Sequence, residues 1–206
     1  MEQDLSALLD IQPGEVVSLV GAGGKTTAML RLADELGSAG HTVLITTTTR
    51  ILEPITRSDE TLLLSNSLET LIVQLHSLPD THRKVFLAHH RLAEADPRFA
   101  AQAPYPAQAN KVAGPPPTWI DHLHHAFPEA IILVEADGAR HRYLKAPAAH
   151  EPVVPPTTTL LIPLADLAIL GCPLNDRYVH RPERVSALLG IPLNTPITPQ
   201  HLAHLL

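Results

Sequence analysis

Residues 16–27 set a short β-branched run, a glycine-rich turn and a lysine with two threonines end to end. The run is Val16-Val17-Ser18-Leu19-Val20, the turn Gly21-Ala22-Gly23-Gly24 and the junction Lys25-Thr26-Thr27. A continuous run of this kind reads as a strand buried on both faces. From Thr26 to about Ala39, apolar residues recur at Met29, Leu32, Ala33 and Leu36, which is a helical period, and Gly37 and Gly40 end it. His41-Thr42-Val43-Leu44-Ile45-Thr46 reads as the next strand. Residues 16–46 therefore form one strand–helix–strand unit, whose crossover is right-handed and parallel in nearly all folds.

The rest of the chain continues the alternation. Leu5–Ile11 patterns as a short helix closed by Pro13-Gly14. Leu62–Leu64 and Val85–Leu87 read as strands around a helix near Leu68–Leu75, and Trp119–Phe127 as another helix. Ala130–Val134 and Thr159–Pro163 are further strands, and Pro182–Leu189 is a helix with proline in its first turn. The last segment, 198–206, reads as the start of a helix in which the chain stops, which suggests a short variant or a truncated form. Strands alternating with helices imply an α/β fold: a three-layer, P-loop NTPase-like domain with a mostly parallel sheet. At 206 residues the chain fits one domain. Its 20 prolines concentrate after residue 95, and the Pro/Ala-rich stretch at about 95–117 reads as an irregular, exposed excursion.

The turn at 21–27 points to phosphate. The common P-loop pattern has a glycine five residues before the Gly-Lys pair, and here that position is Leu19. What stands in its place is a shorter Gly-x-x-Gly-Lys-Thr-Thr form, similar to the ATP loops of Mur-type ligases. Gly21, Gly23 and Gly24 can take backbone angles closed to other residues, so that N–H groups from Gly21 to Thr27, Ala22 included, converge on one anion. The following helix turns its positive end to the phosphates. Lys25 would sit against the β- and γ-phosphates, and the Thr26 hydroxyl would complete Mg²⁺ coordination. ATP or GTP with Mg²⁺ is the expected ligand.

A second motif supplies acid. The run Ile131-Ile132-Leu133-Val134 ends in Glu135-Ala136-Asp137-Gly138. Carboxylates at the carboxyl end of a parallel strand point into the crevice where ligands bind. Glu135 or Asp137 is expected to hold the metal, with the other orienting a water or substrate, and two carboxylates so close call for a cation between them. Thr46-Thr47-Thr48-Thr49-Arg50 also ends a strand. The Thr47 and Thr48 hydroxyls are candidates to reach the metal or γ-phosphate, and Arg50 to neutralise transition-state charge.

Composition excludes several classes. Fifteen basic and 21 acidic residues give a net charge of −6, without a basic, aromatic-studded patch, so nucleic acid is not an expected partner. The N-terminus, Met1-Glu2-Gln3-Asp4, lacks the cationic start and apolar run of a signal peptide, and no stretch is long enough to span a membrane. The single cysteine, Cys172, fits a reducing compartment, so the expected location is cytoplasmic. His89-His90 and His122-x-His124-His125 resemble metal tracts but read as surface histidines.

Four blocks in one order resemble the YqeC family: 17–27; Thr46–Thr49 with Pro54; Val134–Arg140 continuing to Lys145-Ala146-Pro147 and His150-Glu151-Pro152; and Gly171-Cys172-Pro173-Leu174 followed by Val179-His180-Arg181-Pro182-Glu183. The resemblance implies an accessory factor for selenium-dependent molybdenum hydroxylases, with a maturation partner in that pathway. Arg140, His141, Arg142 and Lys145 follow the acidic motif and would suit an anionic second substrate, such as a phosphorylated pterin or selenophosphate. No guanine-reading Asn-Lys-x-Asp or Thr-Lys-x-Asp is present, and ATP versus GTP stays open. Open as well is the choice between an NTPase, a phosphoryl or nucleotidyl transferase or ligase acting on a small cofactor, and a nucleotide switch that docks a partner protein.

Overall fold

A computed structural model describes residues 4–92 and 111–206. Its strands in chain order are β1 (Val16–Gly21), β2 (Val43–Thr47), β3 (Arg50–Leu52), β4 (Glu60–Leu64), β5 (Lys84–Ala88), β6 (His90–Arg91), β7 (Lys111–Ala113), β8 (Ile131–Glu135), β9 (Leu144–Lys145), β10 (Leu160–Leu164) and β11 (Val179–His180). The helices are α1 (Leu5–Leu8), α2 (Lys25–Ser38), α3 (Leu68–His76), α4 (Pro117–Ala126), α5 (Pro182–Leu189) and α6 (Pro199–Leu205).

Six strands form the main sheet in the order β10-β1-β8-β2-β5-β4, every neighbouring pair parallel. The side-chain period of two divides them between two faces. Val16 and Val20, Leu44, and Ile132 and Val134 point to one face, where Leu71 and Leu75 of α3 and Ile120 and Leu123 of α4 cover them. Val17 and Leu19, Val43 and Ile45, and Ile131 and Leu133 point to the other, against Met29, Leu32 and Leu36 of α2. The result is the expected three layers. A third cluster gathers Leu144, Ile169, Val179, Val185 and Leu202 from β9, β11, α5, α6 and a 3₁₀ turn at Leu167–Ile169.

The structure corrects the sequence reading in two places and adds strand order to it in another. First, α1 stops at Leu8, because Asp10 takes a left-handed φ of 51° that breaks the helix before Ile11. Second, β1 and β2 belong to one strand–helix–strand unit yet do not pair, since β8 lies between them. Third, the end of the excursion at 95–117 is regular. Lys111–Ala113 pairs antiparallel with both β3 and β6 and buries Val112, and Pro117 opens α4. The remainder of that excursion lies outside the described residues. Gly114 follows β7 against the end of β2, where a Cβ would come within 1.5 Å of the Thr47 carbonyl oxygen. Pro163 is tolerated in β10 because that strand is the sheet edge and needs fewer N–H donors.

Candidate functional site

The glycine loop sits at the carboxyl edge of β1, directly before α2. Gly21, Gly23 and Gly24 have φ of 95°, 69° and 75°, the left-handed region that side chains disfavour. Space adds its own demand at two of them. A Cβ on Gly21 would lie 2.2 Å from the Leu164 carbonyl oxygen, and one on Gly23 would lie 2.4 Å from Asp166 Cβ. The segment leaving β10 thus backs the loop closely, and Ala22 N–H donates to Leu164 O at 2.8 Å. Beside Gly24 nothing lies within 4 Å of the Cβ position, so the approach to the first amides of α2 is open among the described residues. Those amides have no acceptor within the helix, and the helix dipole adds positive potential there.

Lys25 begins α2 but is buried. Its Nζ donates to Gly21 O at 2.6 Å and stands 3.3 Å from Asp137 Oδ1. Asp137 Oδ2 accepts from Gly21 N–H at 3.0 Å and pairs with Lys145 Nζ at 3.0 Å. Lys145 also donates to Gly138 O at 2.8 Å and to Glu151 Oε2 at 2.9 Å, so three oxygens match its three N–H donors. Glu151 then receives Arg181 on both oxygens, at 2.7 and 3.2 Å. A continuous ionic chain runs from the loop through Lys25, Asp137, Lys145 and Glu151 to Arg181, at the entry to α5.

Glu135 stands apart from that chain. Its Oε2 accepts the Thr26 hydroxyl at 2.8 Å. Burial raises its carboxyl above the ordinary range, with Asp137 adding to the shift and Lys25 and the Thr26 hydroxyl opposing it. A raised acid binds its proton more tightly when folded. Its stabilising contribution is therefore complete below the unfolded value of about 4.3 and is lost as pH rises through the folded one. The ionised form of Glu135 is thus the costlier one in the fold, and a cation beside it would relieve that cost. Glu135→Gln is accordingly expected to raise the melting temperature of the metal-free protein at pH 7, with the gain disappearing toward pH 4, as differential scanning fluorimetry would register. An unchanged or lowered melting temperature at pH 7 would refute this account of the carboxylate.

The YqeC protein family matches residues 17–183. The chain belongs to the YqeC family. It is also 32% identical over 176 residues to an Escherichia coli (strain K12) protein named "Uncharacterized protein YqeC", across 85% of this chain and 61% of the relative. The chain therefore spans less than two thirds of that relative's length. No solved structure matches it. Among the described residues no helix is long and apolar enough to cross a membrane.

The stretch that matches the YqeC family contains the loop, both acidic strand-end residues and the whole ionic chain to Arg181. Sequence reasoning located Gly21 to Thr27, Glu135 and Asp137, and the structure brings them together. Other candidates sit differently. Lys145 reaches the site, but as a buried bridge between carboxylates rather than as an open anion donor. The strand-end threonines face inward: Thr46 donates to Leu87 O at 2.9 Å, Thr47 to Glu135 O at 2.7 Å and Thr48 to Val153 O at 2.7 Å. The Thr46 and Thr47 hydroxyls tie β2 to β5 and β8, and Thr48 ties the turn after β2 to the segment after β9. Arg50 opens β3 and is exposed, as are Arg140 and His141, both with positive φ. Of the two strand-end carboxylates, Asp137 pairs with Lys25, and the same ammonium opposes the upward shift of Glu135.

Glu151 and Arg181 were the members of the site that the sequence did not reveal. Each lies in a block of the family resemblance, next to a histidine, with no partner to be read from the sequence. The structure leaves His150 exposed, 3.9 Å from Glu151, and joins the carboxylate to an arginine 30 residues away. No spacing rule anticipates a pair that far apart. Asp166, which supports the glycine loop through Gly23, carried no sequence signal either.

Proposed function

We propose that this YqeC-family chain binds a Mg²⁺–nucleoside triphosphate and hydrolyses it as an accessory step in maturing selenium-dependent molybdenum hydroxylases. The observation that carries this reading is the buried Lys25 at the open N-terminus of α2, with the Thr26 hydroxyl joined to a strand-end carboxylate. The pathway comes from the family resemblance, and the lone cysteine fits a reducing cytoplasm.

Charge balance explains the need for metal. Lys25, Lys145 and Arg181 already face Glu135, Asp137 and Glu151. A triphosphate would tip such a balanced site strongly negative. Hard oxygen donors suit Mg²⁺, which is commonly held by one or two carboxylates plus phosphate. Thr26 and Glu135 would hold it, and Asp137 Oδ1, buried beside Lys25 at 3.3 Å, accepts no hydrogen bond among the described residues. Bound there, the ion would neutralise charge on the phosphate oxygens. The chain's own residues do the rest. Gly21 and Ala22 donate their amides to Asp137 and Leu164, so the amides from Gly23 into the first turn of α2 orient the phosphates; Lys25 exchanges Gly21 O for a phosphate oxygen, and Asp137 keeps the ammonium in place. Asp137 and Glu135 share the tasks of holding the metal and orienting the attacking group.

Calorimetry with non-hydrolysable ATP and GTP analogues, with and without Mg²⁺, tests the proposal. Mg²⁺-dependent binding of either analogue is expected, and its identity names the base. Absence of binding for both would overturn the assignment of the loop. Turnover seen only with an acceptor present would replace hydrolysis by group transfer.

A further inference from the structure

A pocket of about 170 Å³ opens between the segment after β8 and the turn before β11, lined by His141, Tyr143, Arg177 and Tyr178. We propose that it receives the base of the nucleotide whose phosphates lie on the glycine loop, a planar ring stacked on Tyr143 at a rim that Arg177 lines. The inference rests on the nucleotide reading above and names the residues that would recognise the nucleoside end.

Three observations support it. The pocket belongs to the same structural unit as the loop: Tyr143 O accepts Asp166 N–H at 2.9 Å, and Asp166 packs against Gly23. Its position also fits the polarity of a nucleotide. Thr26 and Glu135 draw the metal-bound phosphate end toward β8, one neighbour of β1. The pocket instead leans on the segment that follows β10, the other neighbour. Finally, the lining offers an aromatic face rather than a slot, because the two tyrosines stack on each other and leave Tyr143 part-exposed. Tyr143 and Tyr178 lie 6.1 Å apart and within 28° of parallel, and the Arg177 guanidinium stands 5.2 Å from the Tyr178 ring centre. Guanidinium and aromatic planes stack readily on a heterocycle.

Magnitudes narrow the geometry. Whole-ligand pockets run from about 300 Å³ upward, so this one is sized for a ring system with the rest of the ligand outside. Two carbon contacts in series need about 7–8 Å, more than the tyrosines allow. The ring therefore lies across Tyr143, which is 36% exposed and belongs to none of the hydrophobic clusters. Hydrogen bonds from Tyr143 N to Tyr178 O and from Asp166 N to Tyr143 O hold the backbone, so truncating the side chain leaves the frame in place.

The test compares Mg²⁺–ATP and Mg²⁺–GTP with Mg²⁺–tripolyphosphate, which has the phosphates and no base. Wild-type protein is expected to prefer one nucleotide over tripolyphosphate. Tyr143→Ala should weaken that nucleotide by about tenfold to a hundredfold, the range for a lost base–aromatic stack, with tripolyphosphate unchanged. Tyr143→Phe should retain the preference, and Arg177→Ala should reduce it. Binding of tripolyphosphate without any nucleotide preference, or a Tyr143→Ala effect equal on all three ligands, sinks the pocket assignment alone. If tripolyphosphate and both nucleotides fail to bind, the loop reading falls and the pocket falls with it.

Discussion

Lys25→Ala is expected to lower Mg²⁺–nucleotide affinity by about tenfold to a hundredfold while the protein stays folded. A charge-assisted contact to phosphate contributes roughly 1.5–3 kcal/mol, and about 1.4 kcal/mol is a tenfold change. The fold should tolerate the loss, because Asp137 keeps the Gly21 N–H and the Lys145 ammonium, both at 3.0 Å. Calorimetry reads the affinity, and circular dichroism with urea denaturation reads the fold. Normal binding by the folded variant would show that the loop is not the phosphate site. Unfolding would show instead that Lys25 holds the structure, and that the ion pair with Asp137 outweighs its other partners.

Lys145→Ala should have the larger effect on stability, about 3–5 kcal/mol, the usual result of breaking a buried pair. The Lys145 side chain is 1% exposed and lies between Asp137 and Glu151, so its loss leaves two carboxylates facing each other. Their acid titration gives a second signature. Arg181, with Lys145, holds the Glu151 carboxyl down to about 2. A depressed acid contributes stability that is complete above its unfolded value and is lost as pH falls through the folded one. The gap between wild type and Lys145→Ala should therefore be full at pH 7 and narrow between about 4.3 and 2. Urea midpoints at neutral and acid pH measure it. Equal midpoints at pH 7 would mean that the ionic chain holds nothing together.

These expectations differ in how far they could be read from the chain. The strand, glycine loop and helix at 16–38 are local structure, set by β-branching, by left-handed angles at glycine and by a helical apolar period. Glu135 and Asp137 were legible for the same reason, since an apolar run that ends in acid places it at the strand's carboxyl end. Lys145 was legible as a cation near the site, but its partners were not. Spacing alone pointed to phosphate, whereas burial beside two carboxylates makes it a bridge.

What the sequence by itself determined was the alternation of elements, the two-faced strands, the family and the residues at the mouth of the loop. Each follows from interactions within a few residues. Only the tertiary structure decided that β8 enters between β1 and β2, which brings Glu135 to Thr26 and Asp137 to Gly21 and Lys25. It alone turned the Thr46, Thr47 and Thr48 hydroxyls inward, pressed Gly114 against Thr47, and joined Glu151 to Arg181. Those contacts link positions far apart in the chain, so their geometry is set by how the layers pack, and no local pattern of residues encodes it.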